Sequence, residues 1–162
     1  MHDIDMNRYQ FFRFFVTGFG VGYCPIAPGT AGSILGVLLF LPFQTVPLFY
    51  ALPVLAILFG MGVYTSNFSF ALFGQKDPSK IVIDEIVAIL LVLFLLPTSA
   101  VLWGLGFLLF RLFDITKPIG VREAENLPGG WGIMADDVVA AIYALFILLP
   151  IHYLGRYLGL FA

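Results

Sequence analysis

The stretch GGWGIMADDVVAAIYALFILLPIHYL (residues 129–154) joins glycines and two adjacent carboxylates to a long apolar run. A helix needs roughly 20 apolar residues to cross a hydrocarbon core of about 30 Å, and this run has that length. Backbone groups in lipid must be hydrogen-bonded internally, and the run lacks the alternation of a membrane barrel strand. It therefore predicts a membrane-spanning helix with Asp136 and Asp137 in its first turns.

The whole chain shares this apolar character. Of its 162 residues, 60% are hydrophobic and 11% are charged, whereas soluble domains carry about 25% charged residues. Further apolar runs lie at about 31–43, 46–73, 81–96 and 98–113. Because the first of these is short, the sequence predicts an all-α, polytopic membrane bundle of four or five transmembrane helices. We expect residues 1–162 to form a single integral-membrane domain.

The segment before these runs has a different pattern. RYQFFRFF (residues 8–15) sets arginines among aromatic side chains, which favours an N-terminal interfacial segment that anchors the chain. No signal-peptide cleavage site follows, so we expect the segment to be retained. A net charge of −2 gives no indication of nucleic acid, and no motif indicates a protein partner.

The distribution of basic residues predicts the topology. With a cytoplasmic N-terminus and five spans, seven of the eight Lys and Arg residues fall on the cytoplasmic side, and Arg156 is the exception. The same arrangement brings the acidic residues to that face. We therefore expect a multi-pass protein whose chemistry is confined to the cytoplasmic leaflet.

Two acidic pairs dominate that face. In DPSKIVIDEIVAIL (77–90), Asp77 reads as a helix N-cap and Pro78 as the first helical residue, which would set Asp84 and Glu85 about two turns into the helix. Carboxylates at that depth are costly and by default functional.

Four carboxylates without a His or Cys cluster suit a hard cation such as Mg²⁺. The candidate metal ligands are Asp84, Glu85, Asp136 and Asp137. The alternative is that these acids pair with lysine and arginine or cap helices in the headgroup region.

Two further segments contain candidate phosphate-binding groups. In GFGVGYCPIAPGTAGS (18–33), Thr30 is expected to cap a helix whose free amides could hold an anion, although this signal is weak and a plain loop with an N-cap explains the pattern better. In FRLFDITKP (110–118), Arg111, Asp114 and Lys117 recur every three residues. The two cations either bind phosphate or anchor the helix end at the headgroups.

Several catalytic classes lack their residues. The two histidines, at positions 2 and 152, do not fit a histidine-nucleophile phosphatase, and no phosphate-binding arginine lies six residues after Cys24. We expect this cysteine to be buried and structural. No P-loop or nucleophile elbow is present, so metal-assisted chemistry remains.

Four motifs in order carry a family resemblance. They are GYCPIAPGTAGS (22–33), IVIDEIVAI (81–89), FRLFDITKPIGVRE (110–123) and LPGGWGIMADDVVAAIYA (127–144). Over about residues 16–146 the chain resembles phosphatidylglycerophosphatase A. The resemblance implies a bacterial inner-membrane enzyme of phospholipid biosynthesis that hydrolyses the terminal phosphomonoester of phosphatidylglycerophosphate with Mg²⁺, giving phosphatidylglycerol and inorganic phosphate.

The resemblance also suggests residue roles. The family's functional positions fall on Asp84, Glu85, Asp114, Asp136, Asp137, Lys117, Pro28, Gly29 and Thr30. The pattern departs at Ala88 and Ala141, where glycines are expected, and at Asn126, where a basic residue is expected.

The mechanism expected from these residues has three parts. Mg²⁺ is held by some of the four paired acids, and Arg111 and Lys117 clamp the phosphate together with the Thr30 loop. Asp84, Asp137 or Asp114 activates the water, and a covalent aspartyl-phosphate route stays open. The rival hypotheses are a small cation carrier or channel and a structural membrane subunit.

Overall fold

A computed structural model describes residues 2–75 and 78–159, which fold almost entirely into helices. The described part contains no β-strand, which confirms the all-α prediction. Its α-helices are α1 (His2–Val16), α2 (Pro28–Phe40), α3 (Leu48–Ser66), α4 (Ser69–Phe73), α5 (Ile83–Leu95), α6 (Ala100–Thr116), α7 (Val121–Glu125) and α8 (Gly130–Tyr157). Short 3-10 turns cover Val21–Tyr23 and Leu41–Phe43.

Helix length separates these elements into two groups. In the described residues, α3 with 19 residues and α8 with 28 are long and apolar enough to cross a membrane. Helices α2, α5 and α6 have 13, 13 and 17 residues, which at 1.5 Å per residue reach only about 20 to 26 Å. Two candidate spans are therefore present, and the number four or five stays a prediction.

Large apolar side chains cover much of the outer surface. Phe49, Val101 and Phe146 are 79%, 72% and 76% exposed, and they belong to three different helices. Exposed apolar area spread so widely exceeds what water-soluble monomers tolerate. The surface is suited to lipid contact.

The direction of the helices determines which residues meet. Helices α2 and α5 run in parallel, because Gly29 lies beside Glu85 and the ring of Phe40 packs against Phe94. Helix α6 runs the opposite way, since Gly106 lies against Val92 and the later Arg111 lies near the earlier Glu85. The starts of α2, α5 and α8 and the end of α6 consequently meet at one end of the bundle, which we call the polar end.

Close packing of α2 on α5 depends on small residues. A Cβ atom on Gly36 would lie 2.3 Å from Cγ2 of Ile89, and one on Gly32 would lie 2.7 Å from Cβ of Val82. This is the small-residue spacing that lets two helix backbones approach closely. The two alanines that replace expected glycines, Ala88 and Ala141, are both fully buried, so the core has room for their methyl groups.

The start of α5 differs from the prediction. The helix begins at Ile83, and Pro78 lies in a turn in which its carbonyl accepts a hydrogen bond from Ile81 N at 3.0 Å. Val82 N donates to Val16 O at 2.9 Å, which ties this segment to the end of α1. Asp84 and Glu85 therefore occupy the first turn of α5 rather than a position two turns in. Asp77, the predicted cap, lies outside the described residues.

The N-terminal helix packs on the bundle through one face. Phe12 and Val16 are buried, and the Arg8 guanidinium lies over the rings of Phe12 and Tyr64. This arrangement agrees with an arginine and aromatic surface segment, and membrane anchoring itself stays a prediction.

The loop after α1 corrects the prediction for the cysteine. Cys24 is exposed, not buried. The buried residue of the adjacent 3-10 turn, Val21–Tyr23, is Gly22, where a Cβ atom would meet Lys80 O at 2.0 Å. In this turn region Gly22 packs against the rest of the protein, and the Cys24 side chain does not.

Candidate active site

The polar end encloses a cavity of about 290 Å³. It is lined by the start of α2, the segment before α5, and charged side chains from α5, α6 and α8. The lining residues with formal charge are Asp84, Glu85, Arg111, Asp114, Lys117, Asp136 and Asp137. Five carboxylates thus face two cations, and the cavity carries an excess of negative charge.

Three of the carboxylates form a compact cluster. One oxygen each from Asp84, Glu85 and Asp137 lies within 4.8 Å of the other two. Glu85 Oε2 and Asp137 Oδ2 are buried and have no hydrogen-bond partner. Like charges this close and this poorly solvated repel strongly unless protons or a cation neutralise them. The oxygen donor set and its free lone pairs fit a hard divalent cation.

Arg111 joins three helices at the edge of this cluster. Its Nη1 atom lies 2.5 Å from Asp114 Oδ2 and 3.7 Å from Glu85 Oε1. The same nitrogen lies 3.4 Å from the Ser33 hydroxyl of α2. Asp114 lies two residues before the end of α6. It is three residues from Arg111, a spacing that places both side chains on one helix face.

Lys117 binds Asp136, which is not part of the three-carboxylate cluster. Its Nζ donates to Asp136 Oδ2 at 2.9 Å and lies 3.1 Å from Glu125 Oε1. Burial lowers the pKa of Lys117, but the hydrogen bonds and charges of the two carboxylates outweigh it and hold the pKa above its ordinary value. The ammonium therefore stays charged across the neutral and mildly alkaline range. The two adjacent aspartates consequently have different partners.

Backbone conformation directs Lys117 into the cavity. The residue ends α6 in the left-handed region, with φ of 42°, and its N–H donates to Phe113 O at 2.9 Å. Pro118 cannot continue the helix, so the chain turns here. The predicted end of this helix is confirmed.

The start of α2 corrects the role expected of Thr30. The helix begins at Pro28, with Ala27 as N-cap at φ 49°, so Thr30 is the third helical residue and not the cap. Proline at the first position sets this start. Ala27, Pro28 and Gly29 line the cavity, whereas Thr30 is not among its lining residues. Substrate binding by Thr30 stays a prediction, supported by the unpaired amides of a helix start.

Gly29 lies against the carboxylate cluster. A Cβ atom at this position would be 2.0 Å from Glu85 Oε1 and 3.2 Å from Arg111 Nη2. No side chain larger than hydrogen fits without displacing the carboxylate. Gly29 therefore permits the close approach of α2 to the charged residues.

Sequence reasoning missed two polar partners. Ser33 is fully buried, donates to Gly29 O at 2.9 Å and contacts Arg111. Its separation of four residues from Gly29 places both on one face of α2, which was a usable signal. Glu125 lies in the short α7, and no spacing indicated its contact with Lys117. Asn126 caps α7 by donating to a carbonyl of that helix and does not line the cavity.

A comparison with known families identifies the chain itself. The model for phosphatidylglycerophosphatase A matches residues 14–152. The chain belongs to this family. Membership confirms the resemblance carried by the four motifs, and it favours a lipid phosphatase, a hydrolase of phospholipid biosynthesis, over a cation carrier.

Individual relatives agree with the family. Phosphatidylglycerophosphatase A of Haemophilus influenzae is 44% identical over 142 residues, 84% of this chain and 85% of the relative. Phosphatidylglycerophosphatase A of Escherichia coli is 35% identical over 147 residues, 86% of this chain and 81% of the relative. A Bacteroides thetaiotaomicron protein provisionally named phosphatidylinositol-3-phosphatase is 41% identical over 145 residues, 83% of this chain and 89% of the relative. No solved structure matches the chain.

Proposed function

We propose that this protein hydrolyses the terminal phosphomonoester of phosphatidylglycerophosphate, giving phosphatidylglycerol and inorganic phosphate. The observation that carries the proposal is the meeting of five carboxylates and two cations in one cavity at the polar end. Family membership supplies the substrate class. A charged cavity at the end of an apolar bundle suits a lipid whose tails stay in the bilayer.

The charge of the cavity calls for a cation. A phosphate group entering beside an excess of carboxylates would be repelled, so its binding needs additional positive charge. Asp84, Glu85 and Asp137 are the proposed ligands of Mg²⁺, and their clustered, unpartnered oxygens support this choice. Asp136, the fourth predicted ligand, holds Lys117. When bound, Mg²⁺ would neutralise charge on the phosphoryl oxygens.

The remaining charged residues bind the phosphate and activate water. Arg111 and Lys117 both line the cavity, and in the proposed mechanism they donate to phosphoryl oxygens. Asp114 lies outside the three-carboxylate cluster, so we assign water activation to it. The water oxygen forms a bond to phosphorus while the bond from phosphorus to the glycerol oxygen breaks. The water proton passes to the Asp114 carboxylate, and the protonated Asp114 then gives this proton to the glycerol oxygen as it leaves, which restores the carboxylate.

The membrane arrangement completes the proposal. We place α2, α3, α5, α6 and α8 in the inner membrane with the polar end toward the cytoplasm. The exposed apolar side chains and the segregation of Lys and Arg support this orientation. A lipid headgroup of the cytoplasmic leaflet would then enter the cavity directly.

The testing experiment measures phosphate release from phosphatidylglycerophosphate in neutral detergent micelles over a range of Mg²⁺ concentrations. We expect no release without Mg²⁺ and a loss of at least about 100-fold in Asp84→Asn and Asp137→Asn. These two variants should also need more Mg²⁺ for half-maximal activity, whereas Asp114→Asn should lose kcat at an unchanged Mg²⁺ requirement.

Two controls make the result decisive. Matched thermal unfolding of all variants separates chemistry from folding, and phosphatidylinositol 3-phosphate tested in parallel addresses the name of the Bacteroides relative. Undiminished release in the two cluster variants would contradict the metal assignment. Retention of configuration at a chiral phosphate would replace direct water attack by an aspartyl-phosphate route.

A further inference from the structure

A second cavity adjoins the active-site cavity at Lys117, which lines both. It lies between the end of α6 and α7 and has a volume of about 290 Å³. It is lined by Thr116, Lys117, Pro118, Ile119, Arg122 and Glu123. A bound molecule that extends from the active-site cavity past Lys117 would enter this second cavity.

Among the described residues, some of the charged side chains that line this second cavity already have partners, and one does not. Lys117 is bound to two carboxylates. The Glu123 carboxylate accepts a hydrogen bond from Gly120 N, which occupies it at the start of α7. The side chain of Arg122 is exposed and forms no ion pair with the part of the chain that the structure describes. Because Lys117 is already assigned to the phosphate in the active site, Arg122 is the lining cation left for a second anionic group.

The segment that carries Arg122 is held in place. Tyr143 OH donates to Ile119 O at 2.8 Å, which fixes the turn after α6 to α8. Arg122 N donates to Pro118 O at 3.3 Å, and the preceding Val121 is fully buried. The guanidinium is thus a flexible group on a fixed backbone beside the active site.

The proposed substrate has a group that matches this position. Phosphatidylglycerophosphate carries a terminal phosphomonoester and a phosphodiester, separated by one glycerol. With the monoester in the active site, the diester must lie close by in the direction of the membrane lipid. We propose that Arg122 binds this phosphodiester in the second cavity and thereby selects lipids with both phosphates over lipids with one. The inference rests on the proposed function and adds a specificity-determining residue to it.

The experiment compares Arg122→Gln and Arg122→Lys with Arg156→Gln, a control in the last turn of α8. Two soluble inhibitors of hydrolysis are used in neutral micelles: glycerophosphoglycerophosphate, which has both phosphates, and glycerol 3-phosphate, which has the monoester alone. We expect Arg122→Gln to weaken inhibition by the first about tenfold and to leave the second unchanged, since one charge-assisted hydrogen-bonded contact is lost. The KM for the lipid substrate should rise by a similar factor at constant kcat, and Arg122→Lys should retain part of the effect.

Other outcomes would overturn the inference. Equal weakening of both inhibitors, or no change in either, would mean that Arg122 does not recognise the diester. A defect that arises only when phosphatidylserine is added to the micelles would make Arg122 a contact for bulk anionic lipid. Wild-type protein without Mg²⁺-supported hydrolysis would instead refute the proposed function, which is a separate result.

Discussion

At the residue scale, Gly29 provides the sharpest test of the site geometry. Replacement by alanine would place a methyl group within 2.0 Å of Glu85 Oε1, so the carboxylate must move out of the cluster. Because displacements of about 1 Å in an active site can cost about 100-fold in rate, we expect Gly29→Ala to lose activity by about that factor. The measurement is kcat for phosphate release together with thermal unfolding.

A matched glycine controls for the helix itself. Gly104 of α6 has open space where a Cβ atom would stand, so Gly104→Ala should keep full activity and gain up to about 1 kcal/mol from helix propensity. Equal activity in Gly29→Ala and Gly104→Ala would show that the cluster tolerates displacement of Glu85.

The contact between Lys117 and Asp136 is testable by a double-mutant cycle. Asp136 is 6% exposed, so Lys117→Met leaves a buried carboxylate unpaired and should destabilise the protein more than the double variant with Asp136→Asn does. We expect a coupling of about 1 to 3 kcal/mol in the free energy of unfolding, measured by denaturing-detergent titration. Additive effects would mean that the contact contributes nothing to stability.

The site residues were largely predictable, whereas their partners were not. Acidic pairs in apolar helices indicate function by their cost alone, and this reasoning found Asp84, Glu85, Asp136 and Asp137. Adjacent helical residues point in directions about 100° apart, so one aspartate of a pair can face the cluster while its neighbour faces Lys117. Which of the two does so depends on how α8 is rotated against α6, and the sequence of one helix does not contain that angle.

At the element scale, the contact of α2 with α5 determines whether the site forms. Gly36 is seven residues from Gly29 on the same helix, and a Cβ atom there would meet Ile89 Cγ2 at 2.3 Å. Gly36→Ala should push the two helices apart, at a cost of about 1 to 3 kcal/mol, and reduce activity although it lies far from the carboxylates. Gly60→Ala in α3, where a Cβ atom has open space, is the control for unfolding and activity.

The start of α5 shows why local signals mislead. Asp77 and Pro78 have the pattern of a helix start, yet Val82 N donates to Val16 O, a residue 66 positions earlier. This tertiary bond keeps the segment out of the helix until Ile83. The predicted helix start at Pro78 was therefore wrong, and the contact with α1 accounts for the later start.

At the scale of the whole molecule, electrostatics predicts the direction of the bundle in the membrane. The sequence fixes neither the number of spans nor their tilt, because helices of 13 residues reach only about 20 Å and depend on neighbours to be embedded. The segregation of Lys and Arg, however, acts on the loops and predicts that the polar end faces the cytoplasm.

The single cysteine of the chain makes that orientation measurable without mutation. Cys24 is exposed and lies in the loop just before α2, at the polar end. A membrane-impermeant maleimide should therefore label it in inside-out vesicles and leave it unlabelled in intact spheroplasts, and Cys24→Ser should abolish the signal. A cysteine placed at Gln44 of the Cys24→Ser protein, in the turn between α2 and α3 at the opposite end, should show the reverse pattern. Labelling of Cys24 in intact spheroplasts would mean that the active site faces the periplasm. A lipid of the cytoplasmic leaflet could not reach it there, and the proposed orientation would be wrong.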